Sequence, residues 1–106
     1  MTFEEQAALA ADTSFVMKVQ QASIKSALAI LADVPDNTPE AIETHRKRTR
    51  LGNEVLQDPG RMALSMARGV AANSSITADA TDADIEFTVN SIWSAYAGVI
   101  LPPAAA

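Results

Sequence analysis

Twice in 106 residues the chain places a polar cap directly before a proline, at Thr38-Pro39 and at Asp58-Pro59. A side-chain oxygen at the cap accepts from the unpaired amides of a first helical turn. Proline fits the first helical position because its missing N–H would have no partner there. Three more helix starts are written in related form. Thr2-Phe-Glu-Glu5 is a capping box, Asp12 or Thr13 can cap a second helix, and Thr81-Asp-Ala-Asp84 precedes a third apolar stripe. Five starts in a chain this short leave room for helices and little else.

Apolar spacing agrees with the punctuation. The first helix is predicted to run to about Ala11. A longer one follows over residues 14–33, with Phe15, Val16, Val19, Ala22, Ala27, Ile30 and Leu31 at helical intervals. Ile24 and Leu28 widen that stripe, which makes this the central, most buried helix. Pro35 ends it, since proline disfavours helical geometry in the residue before it. The helix opened by Thr38-Pro39-Glu40 runs to about Gln57, with sparse apolar positions at Ile42, Leu51, Val55 and Leu56. The Asp58-Pro59 helix runs to about Ala72 on Met62, Ala63, Met66, Ala67 and Val70, which makes Met62 and Met66 core residues. A polar loop spans 73–81. The last helix carries Ile85, Val89, Ile92, Trp93 and Tyr96 and is closed by Gly98. No alternating strand pattern, Asn-Gly or Asp-Gly hairpin, or internal repeat competes. The expected fold is all-α: one small domain over residues 1–98, with a short N-terminal helix and a four-helix bundle-like core. Residues 99–106 are expected to be an extended apolar C-terminal tail.

Composition limits how large the core can be. Hydrophobic residues make up 48% of the chain, but 21 of the 106 residues are alanine and only 5% are aromatic. Alanine favours helix and buries little area. Such a chain packs helices closely around a thin core, so help from an assembly is expected. Cysteine is absent and histidine occurs once, so no disulfide framework or thiolate metal site exists. No apolar run approaches 18 residues, and Met-Thr-Phe-Glu-Glu lacks the basic region of a signal peptide.

Charge is laid out in blocks. Residues 1–45 carry two lysines and seven acids, residues 46–68 six basic residues and two acids, and residues 69–106 four acids and no basic residue. The resulting −5, +4 and −4 add to the net −5. The basic block centres on Arg46, Lys47, Arg48 and Arg50, which point in several directions on a helix. Glu43 with Lys47, and Arg50 with Glu54, have the spacing of ion pairs. The cluster is read either as a solvated face or as a salt-sensitive contact with an acidic patch on another subunit, such as Asp79, Asp82, Asp84 and Glu86. An acidic net charge and the lack of interleaved aromatics argue against nucleic acid. Val99-Ile100-Leu101-Pro102-Pro103 is too apolar to face water. It either folds back over the core, docks on a neighbour, or is a remnant foreign to the fold.

Catalytic chemistry finds little to work with. His45 shares a helix face with Ile42, Thr49 and Gly52, as a half-buried structural histidine would. No Gly-x-Ser-x-Gly elbow or phosphate-cradling glycine loop is present. Residues 81–86 have the acid density of a calcium loop, but not its later glycine and glutamate. No cofactor is expected. A hydrolase or metal enzyme would need a pocket joining His45 to at least two carboxylates.

One resemblance goes further. The order is Phe15-Val-Met-Lys-Val-Gln-Gln-Ala22, then Thr38-Pro39, then His45-Arg46 with further basic residues. Val55-Leu56-Gln57-Asp58-Pro59 and Asp82-Ala-Asp-Ile-Glu-Phe-Thr-Val-Asn-Ser-Ile-Trp93 complete it. Over residues 13–98 this resembles small helical proteins encoded among the structural genes of tailed bacteriophages. The resemblance implies a virion component made in the host cytoplasm, with other virion proteins or copies of itself as partners; from the charge and the apolar runs, neither specific nucleic acid nor membrane is expected as a partner. It implies cap roles for Asp58, Pro59, Asp82 and Asp84, a contact role for Arg46 to Arg50, and no catalytic residues. A capsid-bound accessory protein and a head–tail adaptor ring both fit. The rival reading is a small acidic cytoplasmic protein that inhibits or regulates a host factor.

Overall fold

The computed structural model describes residues 2–73, 76–77 and 79–95, the side chains of residues 94 and 95 excepted. Five helices follow in order: α1 (Phe3–Ala11), α2 (Thr13–Ala32), α3 (Pro39–Gln57), α4 (Pro59–Ala71) and α5 (Asp82–Ala95). No strand occurs among the described residues. The all-α architecture expected from the sequence is therefore the fold. Tyr96, Gly98 and the whole of residues 99–106 lie outside the described residues.

Each helix starts at its coded cap. Thr2 Oγ1 accepts from the Glu5 amide, and the Glu5 carboxylate accepts in return from the Thr2 amide. Asp12, rather than Thr13, caps α2 by accepting from the Phe15 amide. Thr38 caps α3 and Asp58 caps α4, each followed by proline in the first turn. At α5 the exchange is again reciprocal. Thr81 Oγ1 accepts from the Asp84 amide, and Asp84 Oδ2 accepts from the Thr81 amide. Because Asp58 alone separates α3 from α4, the chain turns sharply there and still satisfies the new helix end.

Helices α2 and α4 each pack against all four others. Small side chains make this possible. Ala22, Ala27, Ala63, Ala67 and Ala71 are five of the fifteen buried hydrophobic residues described. Gly52 of α3 brings its backbone against α2, where a β-carbon would stand 3.6 Å from the Ala27 carbonyl oxygen and 3.7 Å from Leu31 Cγ. The larger core residues fill what remains: Phe15, Val19, Leu51, Val55, Met66, Val70, Ile85, Val89 and Trp93.

The core departs from the sequence stripe in specific ways. Leu28 and Leu31 of α2 are exposed, while Ser23 and Ser26 are buried in their place. The buried side of α2 carries Phe15, Val19, Ala22, Ser23, Ser26 and Ala27, so it overlaps only one edge of the apolar stripe. Ile76, inside the expected polar loop, is 2% exposed and belongs to the core. Its amide donates to the Asn73 carbonyl.

Connections fix the directions. The short link 33–38 returns α3 antiparallel to α2: Asp33 shares a groove with His45 and Arg48, while the earlier Ala27 and Leu31 lie at the later Gly52. The longer link after α4 lets α5 run parallel to α2. Lys18 lies nearest Asp82, Lys25 pairs with Glu86, and Ser26 donates to Asn90 Oδ1 at 2.6 Å.

Truncating Trp93 removes the largest buried side chain. Trp93→Ala is expected to lower unfolding free energy by about 3–5 kcal/mol, as large aromatic truncations do. Urea denaturation followed by circular dichroism measures it. At Gly60 nothing lies within 4 Å of an added β-carbon. Gly60→Ala is expected to raise stability, by up to about 1 kcal/mol from helix propensity, in the same assay.

Candidate functional site

The basic block of α3 is spread around the helix. Arg46 binds Glu43 through two hydrogen bonds of 2.6 and 3.0 Å. The expected Glu43–Lys47 pair is thus replaced by Glu43–Arg46, three residues apart, because the guanidinium fork meets both carboxylate oxygens at once. Arg46 holds the Glu43 carboxyl below its ordinary value, chiefly through this hydrogen bond. Glu43 in turn raises Arg46. Lys47 is partly exposed. Arg50 is engaged within the fold. Arg48 turns the other way, with its Nε buried and without a partner.

Arg48 and His45 line a groove of about 580 Å3 between α3 and the 33–38 link, with Asp33, Asp36 and Glu40 on the same walls. His45 is half-buried, as expected. The groove does gather a histidine and three carboxylates, which the sequence did not bring together. No hydrogen bond joins His45 to these acids among the described residues, and no described group of three or more such side chains could hold a metal ion. A second groove, of about 410 Å3, lies between α1, α2 and the start of α5. Leu9, Phe15 and Ile85 give it apolar walls, with Glu5, Asp12 and Lys18 among its polar lining.

The acids of α5 are used within the chain. Asp84 is committed to the Thr81 cap. Asp82 lies 3.9 Å from Lys18, and Glu86 meets Lys25 at 3.2 Å. These exposed pairs are worth well under 1 kcal/mol each, but they set which lysines face which acids. The sequence suggested an acidic patch open to another subunit and gave no sign of these partners, because they are some 60 residues apart in the chain. Val99, Ile100, Leu101 and Pro102 fall outside the described residues.

A different feature emerges in their place. Met17, Leu28, Leu31, Ile42 and Leu56 are exposed on α2 and α3. The last four fall in the apolar stripes that helical spacing assigns to the core. They stay at the surface because α2 buries the side that carries Val19, Ser23 and Ser26, and α3 the side that carries Leu51, Gly52 and Val55. No described helix is long and apolar enough to cross a membrane. The chain matches no protein-family model, no curated protein and no solved structure.

The capping box and the Glu43–Arg46 pair predict an acid-sensitive contribution to stability. Glu5 is lowered mainly by the Thr2 backbone amide, and Glu43 mainly by Arg46. A carboxyl lowered in the folded state stabilises that state above its ordinary value near 4.5. The contribution disappears as pH falls through the lowered value. A Glu5→Gln/Glu43→Gln variant is expected to show a shallower loss of stability below pH 4.5. Thermal unfolding across an acid pH series measures this.

Proposed function

We propose that this chain is a non-enzymatic structural component of a tailed-bacteriophage virion. It binds neighbouring capsid, neck or tail subunits through helix faces and through its C-terminal segment, and its place of action is the particle. The carrying observation is the set of large apolar side chains left exposed on α2 and α3 of a domain whose helix starts are otherwise fully capped. Surfaces of this kind are stable when a partner covers them. The sequence resemblance over residues 13–98 supports the same reading. The small-residue core supports it too, since a thin core gains from assembly. The alternative, an acidic regulator imitating nucleic acid, loses support from the matching of Asp82 and Glu86 with Lys18 and Lys25.

Mass spectrometry of purified particles, made by the phage whose genome carries this chain, tests the proposal. Many copies per particle are expected. Absence from infectious particles would overturn it. The basic block contributes contacts in this reading, so Arg46→Glu/Arg48→Glu/Arg50→Glu is expected to reduce incorporation, and wild-type binding is expected to weaken as salt rises. Deleting residues 99–106 is expected to reduce incorporation with helical circular dichroism retained.

A further inference from the structure

Where α3, α4 and α5 meet, a recess of about 90 Å3 is lined by Leu51, Met62, Ser65, Met66, Gly69 and Ile92. The four α4 positions follow one another at three- and four-residue steps, so they form one stripe along that helix. None of the six residues is charged, and Ser65 brings the only polar side chain. Ser65 and Gly69 are exposed and Met62 and Ile92 half-buried, so the recess opens to solvent. Gly69 helps to keep it open: a β-carbon there would stand 3.4 Å from Ile92 Cδ1. An ordered water needs two to four polar partners, which these walls do not offer. The recess has about the room that one branched aliphatic side chain takes, and its chemistry suits one.

The chain carries such side chains a few residues further on, at Val99-Ile100-Leu101. Ile92, one wall of the recess, stands three residues before the end of α5 at Ala95. With the helix closed at Gly98, as the sequence predicts, the chain has travelled about 9 Å past Ile92. Three extended residues return about 10 Å, which brings Leu101 level with Ile92. Pro102 follows Leu101 and excludes helical geometry there, so part of the cost of holding it extended is already met. The segment is uncharged, like the walls. The larger groove beside Leu9, Phe15 and Ile85 fits it less well. That groove has Glu5, Asp12 and Lys18 in its lining and lies at the start of α5, about 20 Å from the helix end.

We propose that this recess is the seat of the chain's own C-terminal segment, with Leu101 inserted between Met62, Met66 and Ile92. The proposal goes beyond the assembly reading, because it concerns the free chain and holds with or without a particle. It adds a step to that reading as well. A segment seated on its own chain is withdrawn from neighbours, so a contact made through it begins with its release from this recess.

Methyl NMR of the full chain tests it. The chain has no cysteine, so Ala104→Cys carries a nitroxide at one defined site. Met62 and Met66 report on the recess, and Met17, exposed on α2, is the reference. The Met62 and Met66 methyl signals are expected to lose most of their intensity while Met17 keeps its own. The loss is expected to be independent of concentration, and absent when nitroxide and labelled methyls are on separate chains. Leu101→Asp, added to the same labelled chain, keeps the tether and removes the apolar side chain. It is expected to restore both signals with helical circular dichroism retained. Unaffected Met62 and Met66 signals overturn the proposal. So does a loss that persists in Leu101→Asp, which reports the tether alone, or a loss that appears only between separate chains. Either result leaves the virion reading to its own test on purified particles.

Discussion

Every other helix of this chain reaches α2, and it does so over small side chains. Ala22, Ser23, Ser26 and Ala27 give α2 a shallow buried surface. Against it come the Gly52 backbone of α3 and a fourth helix whose inner positions are Ala63, Ala67 and Ala71. Short side chains bring helix axes together, so dispersion and burial are gained through close approach rather than through side-chain bulk. The bulky residues then act as wedges at the margins: Phe15 and Ile85 toward one end, Trp93 toward the other. A core of this kind has little redundancy, since each large side chain carries a big share of the buried area.

The same economy explains the surface. One side of α2 is covered by α4 and α5, and another by α3. With only five helices the circle does not close. Met17, Leu28 and Leu31 remain outside, as do Ile42 and Leu56 of α3. Charge follows the packing. The lysines of α2 are drawn to the α5 acids, and the fork of Arg46 is drawn to Glu43. The large apolar side chains left exposed on α2 and α3 carry the functional reading. Folding thus brings the two acidic blocks together through the only two lysines of the first, and both blocks stay net acidic.

Of the candidate surface, the sequence supplied the residues but not their partners. Asp58 and Pro59 were readable as a helix start because a cap acts over three residues. Asp84 was readable for the same reason. Arg46, Lys47, Arg48 and Arg50 were visible as a cluster, yet which of them would find Glu43 depended on side-chain geometry at three- against four-residue spacing. The pairing of Lys25 with Glu86 had no local signal. Ile76 was hidden by polar neighbours, although a single bulky residue in a polar loop is itself a hint of an anchor.

Local chemistry determined where each helix begins, because caps and prolines act within one turn and need no tertiary context. It also determined that the fold is all-α. Tertiary structure decided which side of each helix is inside. Helical periodicity places Leu28 and Leu31 in the same stripe as Ala27, and only the positions of α4 and α5 make the alanine side the buried one. It also decided that α5 runs parallel to α2, because the direction of a returning helix is set by where its apolar and charged partners stand, and those lie some 60 residues away in the chain.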